Sequence, residues 1–130
     1  MDVDWSELLG WDEGKVDEIR FFGFSLLREG RYEEARLFFE TLLVLDKKSL
    51  FDRQTLGALY LQINENEKAL KHLDIALSID SADEPTLMNK AKALLMLDRK
   101  IEALEIIQNL KKSSNPELAN DAEALILAHA

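Results

Sequence analysis

Ala35, Ala69 and Ala103 stand 34 residues apart, twice over. Each closes a similar pattern: Gly30-Arg-Tyr-Glu-Glu-Ala35, Asn64-Glu-Asn-Glu-Lys-Ala69 and Asp98-Arg-Lys-Ile-Glu-Ala103. Each pattern follows one run of helical periodicity and opens another. A lone helix pair cannot bury its apolar face, so units with a fixed period of this length stack and share one continuous core. The period therefore predicts an all-α fold: a solenoid of three helix–turn–helix repeats with a C-terminal capping helix.

Numbering each repeat from 1 to 34 places an N-terminal arm at 1–15, repeats at 16–49, 50–83 and 84–117, and a capping helix at 118–130. Helical spacing of apolar residues predicts first helices over about 16–28, 50–63 and 85–97, and second helices over about 32–45, 66–79 and 100–111. A last helix is expected over about 117–129. The repeated alanine has a steric reason, because position 20 is where the two helices of a repeat cross closely. Gly23 and Gly57, both at position 8, serve the same approach, with Ala91 in that place in the third repeat. Gly30 suits the left-handed conformation that closes a helix. The arm carries Trp5, Leu8, Leu9 and Trp11 among acidic residues. It reads as a cap over the first repeat, or as a homodimer contact or a mimic of the groove ligand.

Composition narrows the partners. The chain has 130 residues, 47% of them hydrophobic, and a formal charge of −9. Such an acidic surface repels phosphate backbones, which argues against nucleic acid. The absence of cysteine removes disulfides and thiolate metal sites, and fits a reducing cytosol. The start lacks the basic and apolar regions of a signal peptide, and no run reaches the roughly 18 apolar residues that span a bilayer, so no membrane insertion is expected. No catalytic constellation, phosphate loop or metal-ligand spacing is present, so the expectation is a protein that is not an enzyme and has no cofactor. His72 reads as a surface residue.

The 34-residue period is that of tetratricopeptide repeats, which line a concave face with positions 2, 5, 9, 12 and 13 of each first helix. Here the candidate peptide-binding groove is Phe24, Leu27, Phe51, Gln54, Ala58, Leu61, Met88, Lys92 and Leu95, with Asp17, Arg20, Arg28, Gln62, Pro85 and Met96 beside them. This face is unusually apolar. Three buried anchors would contribute about 5–9 kcal/mol before ordering costs. Repeats that clamp a heat-shock chaperone's terminal carboxylate need Lys or Arg and Asn at five of these positions. This chain has Arg20, Phe24, Ala58, Met88 and Lys92 there, so both asparagines are missing and the clamp is effectively absent.

The stretch from Phe22 to Asp46, with its Gly30-Arg-Tyr32-Glu-Glu-Ala35 turn followed by Phe39-Glu-Thr-Leu42-Leu-Val-Leu45-Asp46, resembles the first repeat of the class II chaperones of bacterial type III secretion. Leu56-Gly57-Ala58, Ala76-Leu-Ser-Ile-Asp80 and Pro85 extend the resemblance over about residues 19–110. It implies a cytoplasmic chaperone that hydrolyses no ATP and holds an apolar segment of a secreted client in its groove. Two departures stand out: an arm of only about 15 residues, and Asn64-Glu-Asn66 where the family's second repeat usually has Gly-x-Tyr. The needle subunit rivals the translocator as client, and a general adaptor in a multiprotein complex is the alternative function.

Overall fold

The computed structural model describes residues 3–10 and 12–129; Trp11 lies outside them. Among the described residues there are eight α-helices and no strand. A short α1 (Trp5–Leu8) precedes three pairs: α2 (Glu13–Arg28) with α3 (Tyr32–Leu45), α4 (Leu50–Gln62) with α5 (Asn66–Ile79), and α6 (Glu84–Met96) with α7 (Lys100–Leu110). The last helix is α8 (Pro116–His129). From α2 to α8 each helix packs on the next, and α4 also touches α6.

Local chemistry sets the helix ends. The first helix of each pair is capped by a side chain: Asp12 accepts from Lys15 N, Ser49 from Asp52 N and Asp83 from Thr86 N. The Asp12 cap is why α2 begins three residues earlier than apolar spacing alone predicts. The second helices have no side-chain cap at Arg31, Glu65 or Arg99. A shared turn feeds them instead. Gly30, Asn64 and Asp98 all adopt positive φ, at 75°, 63° and 59°. The next amide then reaches back five residues, from Arg31 N to Leu26 O, Glu65 N to Tyr60 O and Arg99 N to Leu94 O, each at 2.9 Å. This Schellman closure satisfies carbonyls that the helix end leaves open. Asn64 and Asp98 thus do the work of glycine, since short polar side chains tolerate the left-handed region.

The core runs through the array. Ala35, Ala69 and Ala103 are fully buried, as are Phe39, Leu56, Leu73, Leu94 and Ile107. A Cβ on Gly23 would stand 2.9 Å from Phe39 Cε2, and one on Gly57 2.7 Å from Leu73 Cδ2. Glycine at position 8 is therefore what lets paired helices approach. Leu118, Leu125 and Ile126 of α8 pack on the third repeat's core, and Ala122 is buried in it. The arm packs α1 against α3. Phe22 of α2 is largely exposed and meets Phe21 edge-on.

Candidate functional site

A cleft of about 470 Å³ opens where α2, α4 and α6 meet. Leu27 closes it at one end, with Tyr32 from the start of α3. Phe51, Gln54, Thr55, Ala58, Leu59 and Gln62 of α4 form its floor, and Pro85, Thr86 and Asn89 of α6 its far wall, with Asp83 just before them. Of the nine groove candidates, the cleft brings together Leu27, Phe51, Gln54 and Ala58. Phe24 stands behind them, its ring edge-on to buried Phe39 at 5.3 Å and tilted against Phe51 at 5.4 Å. It holds Phe51, which is 50% exposed, in place.

The other candidates lie elsewhere. Met88 is only 4% exposed and packs with Ala91, Leu94, Ala103 and Ala122, so it belongs to the core and not to the cleft surface. Leu61 and Leu95 are half-buried against the cores of the first two repeats and the third repeat. Lys92 is exposed and does not line the cleft.

The reason is a rotation of the lining stripe. Position 5 of each repeat turns toward the next repeat. Arg20 Nε and Nη2 donate to the two carboxylate oxygens of Asp52 at 2.9 and 2.7 Å, and Nη1 donates to Asp17 at 2.9 Å. One repeat on, Gln54 Nε2 donates to Thr86 Oγ1 at 3.2 Å, and the Thr86 hydroxyl donates to Asp83. Asp52 and Thr86 are buried. In the third repeat position 5 is Met88, and the contact with α8 is apolar. Arg20, expected beside the groove candidates, is therefore an inter-repeat tie whose pKa is raised by its bond to Asp52. Thr55 and Asn89, both at position 6, line the cleft beside Gln54. On α4 the lining residues Phe51, Thr55, Ala58 and Gln62, at positions 2, 6, 9 and 13, share one helical face.

Charge is nearly absent from this cleft. Of the described residues that line it, only Asp83 is charged, and its carboxylate caps α6. The arrangement suits burial of apolar groups with main-chain polar atoms meeting the amides of Gln62 and Asn89. Among the described residues no cluster of three His, Cys, Asp or Glu is placed to hold a metal ion. No helix among them is long and apolar enough to cross a membrane.

A polar cluster lies outside the cleft, around His72. Its ring stacks on Tyr60 at 5.3 Å, and Arg53 Nη1 donates to its Nδ1 at 3.1 Å. His72 is half-buried, correcting the surface reading. Burial, with Arg53 and Lys71 nearby, pushes its pKa down. Burial and a hydrogen bond to Glu40 push Tyr60 up to about 12. For Glu40 burial acts upward, but bonds from Tyr60 and Arg36 outweigh it and hold the carboxyl below its ordinary value.

No family model and no curated protein matches the chain. Solved structures do. SycD, a type III secretion translocator chaperone of Yersinia enterocolitica, superposes with a TM-score of 0.79 over 95% of this chain and 96% of its own, at 20% identity. The fold is a tetratricopeptide-repeat solenoid. PcrH from Pseudomonas aeruginosa gives 0.75 over 90% of this chain and 92% of its own, also at 20% identity. The first repeat domain of Spaghetti (RPAP3), bound to an HSP90 peptide, gives 0.77 over 90% and 94%, at 17% identity. PcrH has been solved with the chaperone-binding region of PopB, and SycD with a peptide of the translocator YopD.

Proposed function

We propose that this chain is a cytoplasmic type III secretion chaperone that binds an apolar segment of a secreted client in the cleft between α2, α4 and α6. The observation that carries the reading is the cleft's surface: Leu27, Phe51, Ala58 and Pro85 around uncharged amides, with no free cation lining it. A carboxylate clamp of the heat-shock type needs asparagines where this chain has Phe24 and Ala58 and a cation where it has Met88, and its Arg20 is already tied to Asp52. That separates the chain from Spaghetti and favours the precedent of PcrH and SycD, whose partners are translocator segments. Holding is passive. Covering the segment keeps it from aggregating, and release needs no nucleotide chemistry from this chain.

The test is affinity purification of the chain from its source cells, with mass spectrometry of what co-purifies. The wild type is expected to retain a small secreted protein with an apolar segment, and Phe51→Glu to lose it with helicity unchanged by circular dichroism. Retention of the same partner by Phe51→Glu refutes the cleft. Recovery of folded cytosolic complexes alone, lost in Lys92→Glu, supports the adaptor reading instead. Met88→Glu is no substitute for Phe51→Glu, because it puts a charge in the core.

A further inference from the structure

Each later repeat is covered on one face by the repeat before it, and that face is set by position. In the second repeat, positions 4, 7, 11 and 23 are Arg53, Leu56, Tyr60 and His72, and all four line one crevice with Glu40, Leu43 and Val44 of α3. Position 3, Asp52, accepts from the Arg20 guanidinium of α2. The third repeat uses the same scheme. Lys90, at position 7, meets Asp74 of α5 at 2.8 Å, and Thr86, at position 3, accepts from the Gln54 amide of α4. A preceding helix pair thus gives its second helix to position 7 and a polar donor from its first helix to position 3.

In the first repeat the same positions are uncovered. Position 4 is Ile19 and position 23 is Phe38, and with Leu37 and Thr41 they line an apolar crevice of about 250 Å³. Phe22, at position 7, is 56% exposed, whereas its counterpart Leu56 is 1% exposed. Glu18, at position 3, is exposed and makes no hydrogen bond or ion pair among the described residues. Its counterpart Asp52 is fully buried on a guanidinium. Glu18 and Phe22 are about one helical turn apart and share a side of α2. The described part of the arm lies elsewhere: α1 packs on α3, and Trp5 lines the opening between the first two repeats.

We propose that this end of the solenoid is a docking surface for a helix pair of another protein, which stacks on the first repeat as α2 and α3 stack on the second. One partner helix lays an apolar stripe on Ile19, Phe22 and Phe38, and an Arg or Lys from the other meets the Glu18 carboxylate. Charge favours a basic partner over a second copy, since two chains of charge −9 repel each other. The surface does not depend on the cleft or on what the cleft holds.

The probe is p-benzoylphenylalanine, a photoreactive residue introduced in place of Phe22 in the full chain and irradiated in the source cells. Phe22 is exposed, so the replacement leaves the fold intact. Mass spectrometry of the adduct is expected to place it in a different protein, on a segment with helical apolar spacing and a Lys or Arg within the helix pair. Adding Glu18→Lys is expected to lower the adduct yield about tenfold, because like charges then meet. Adding Phe51→Glu, which disrupts the cleft, is expected to leave the yield unchanged. No adduct, an adduct on a second copy of this chain or on a segment without that pattern, or a yield indifferent to Glu18→Lys overturns the proposal. Loss of the adduct in Phe51→Glu also overturns it, by assigning this face to whatever the cleft holds.

Discussion

Glycine at position 8 shows how one missing methyl sets a helix spacing. Alanine normally favours a helix by about 1 kcal/mol over glycine. At Gly57 the added Cβ would lie 2.7 and 2.9 Å from Leu73 Cδ2 and Cγ, and 3.4 Å from its backbone nitrogen. Gly57→Ala is therefore expected to destabilise by about 1–3 kcal/mol, read from urea unfolding. A gain would mean that α4 and α5 move apart freely. Asp52 is fully buried on Arg20, so Asp52→Ala takes from a part-buried cation its buried partner, leaving it only the exposed Asp17, and should cost about 3 kcal/mol. His72 contributes a pH dependence. Its folded pKa lies below the model-peptide value of 6.5, so between the two values the unfolded chain binds more protons. That share of stability is complete above pH 6.5 and is lost as the pH falls below it. Thermal melts at about pH 7.5 and about pH 5.5 should show a drop in the wild type that is smaller in His72→Gln.

The turn between paired helices is one device used three times with three different residues. Gly30, Asn64 and Asp98 share a positive φ and the same backbone bond across five residues. The resemblance to the secretion chaperones had marked Asn64-Glu-Asn66 as a departure from Gly-x-Tyr, yet the backbone there is the same. Glycine meets no Cβ penalty in this conformation, so Asn64→Gly is expected to stabilise by about 0.5–1 kcal/mol in chemical denaturation. Helix faces were harder to read than helix ends. The lining pattern assumed for position 5 is right for a ligand-clamping array, but here Arg20 and Gln54 reach Asp52 and Thr86 of the next repeat, and Met88 is buried.

At the scale of the whole molecule, the two openings differ in kind. The cleft among the first helices is almost uncharged, while a crevice among α3, α4 and α5 is lined by Glu40, Lys47 and Arg53. Salt should leave binding in the cleft nearly unchanged, since screening weakens ionic contacts and leaves apolar burial in place. Client binding in the cleft is expected to change less than about twofold between about 0.05 and about 0.5 M NaCl. Isothermal titration at the two salt concentrations checks this. Strong salt dependence at the cleft would mean that rim charges such as Arg28 and Lys92 carry the client.

Much of this molecule was legible in the residue order. The 34-residue spacing of Ala35, Ala69 and Ala103, the apolar periodicity and the turn residues determined the helix pairs and their number, because each expresses the local geometry of one helix or one turn. Tertiary structure decided which flank of each first helix faces the cleft. That depends on how far neighbouring repeats rotate against each other, and no period in the sequence encodes a rotation. The same holds for the ties between repeats, for the burial of Asp52 and Met88, and for the seat of Trp5 beside Arg53 and His72. These join residues tens of positions apart, and only the packed array brings them together.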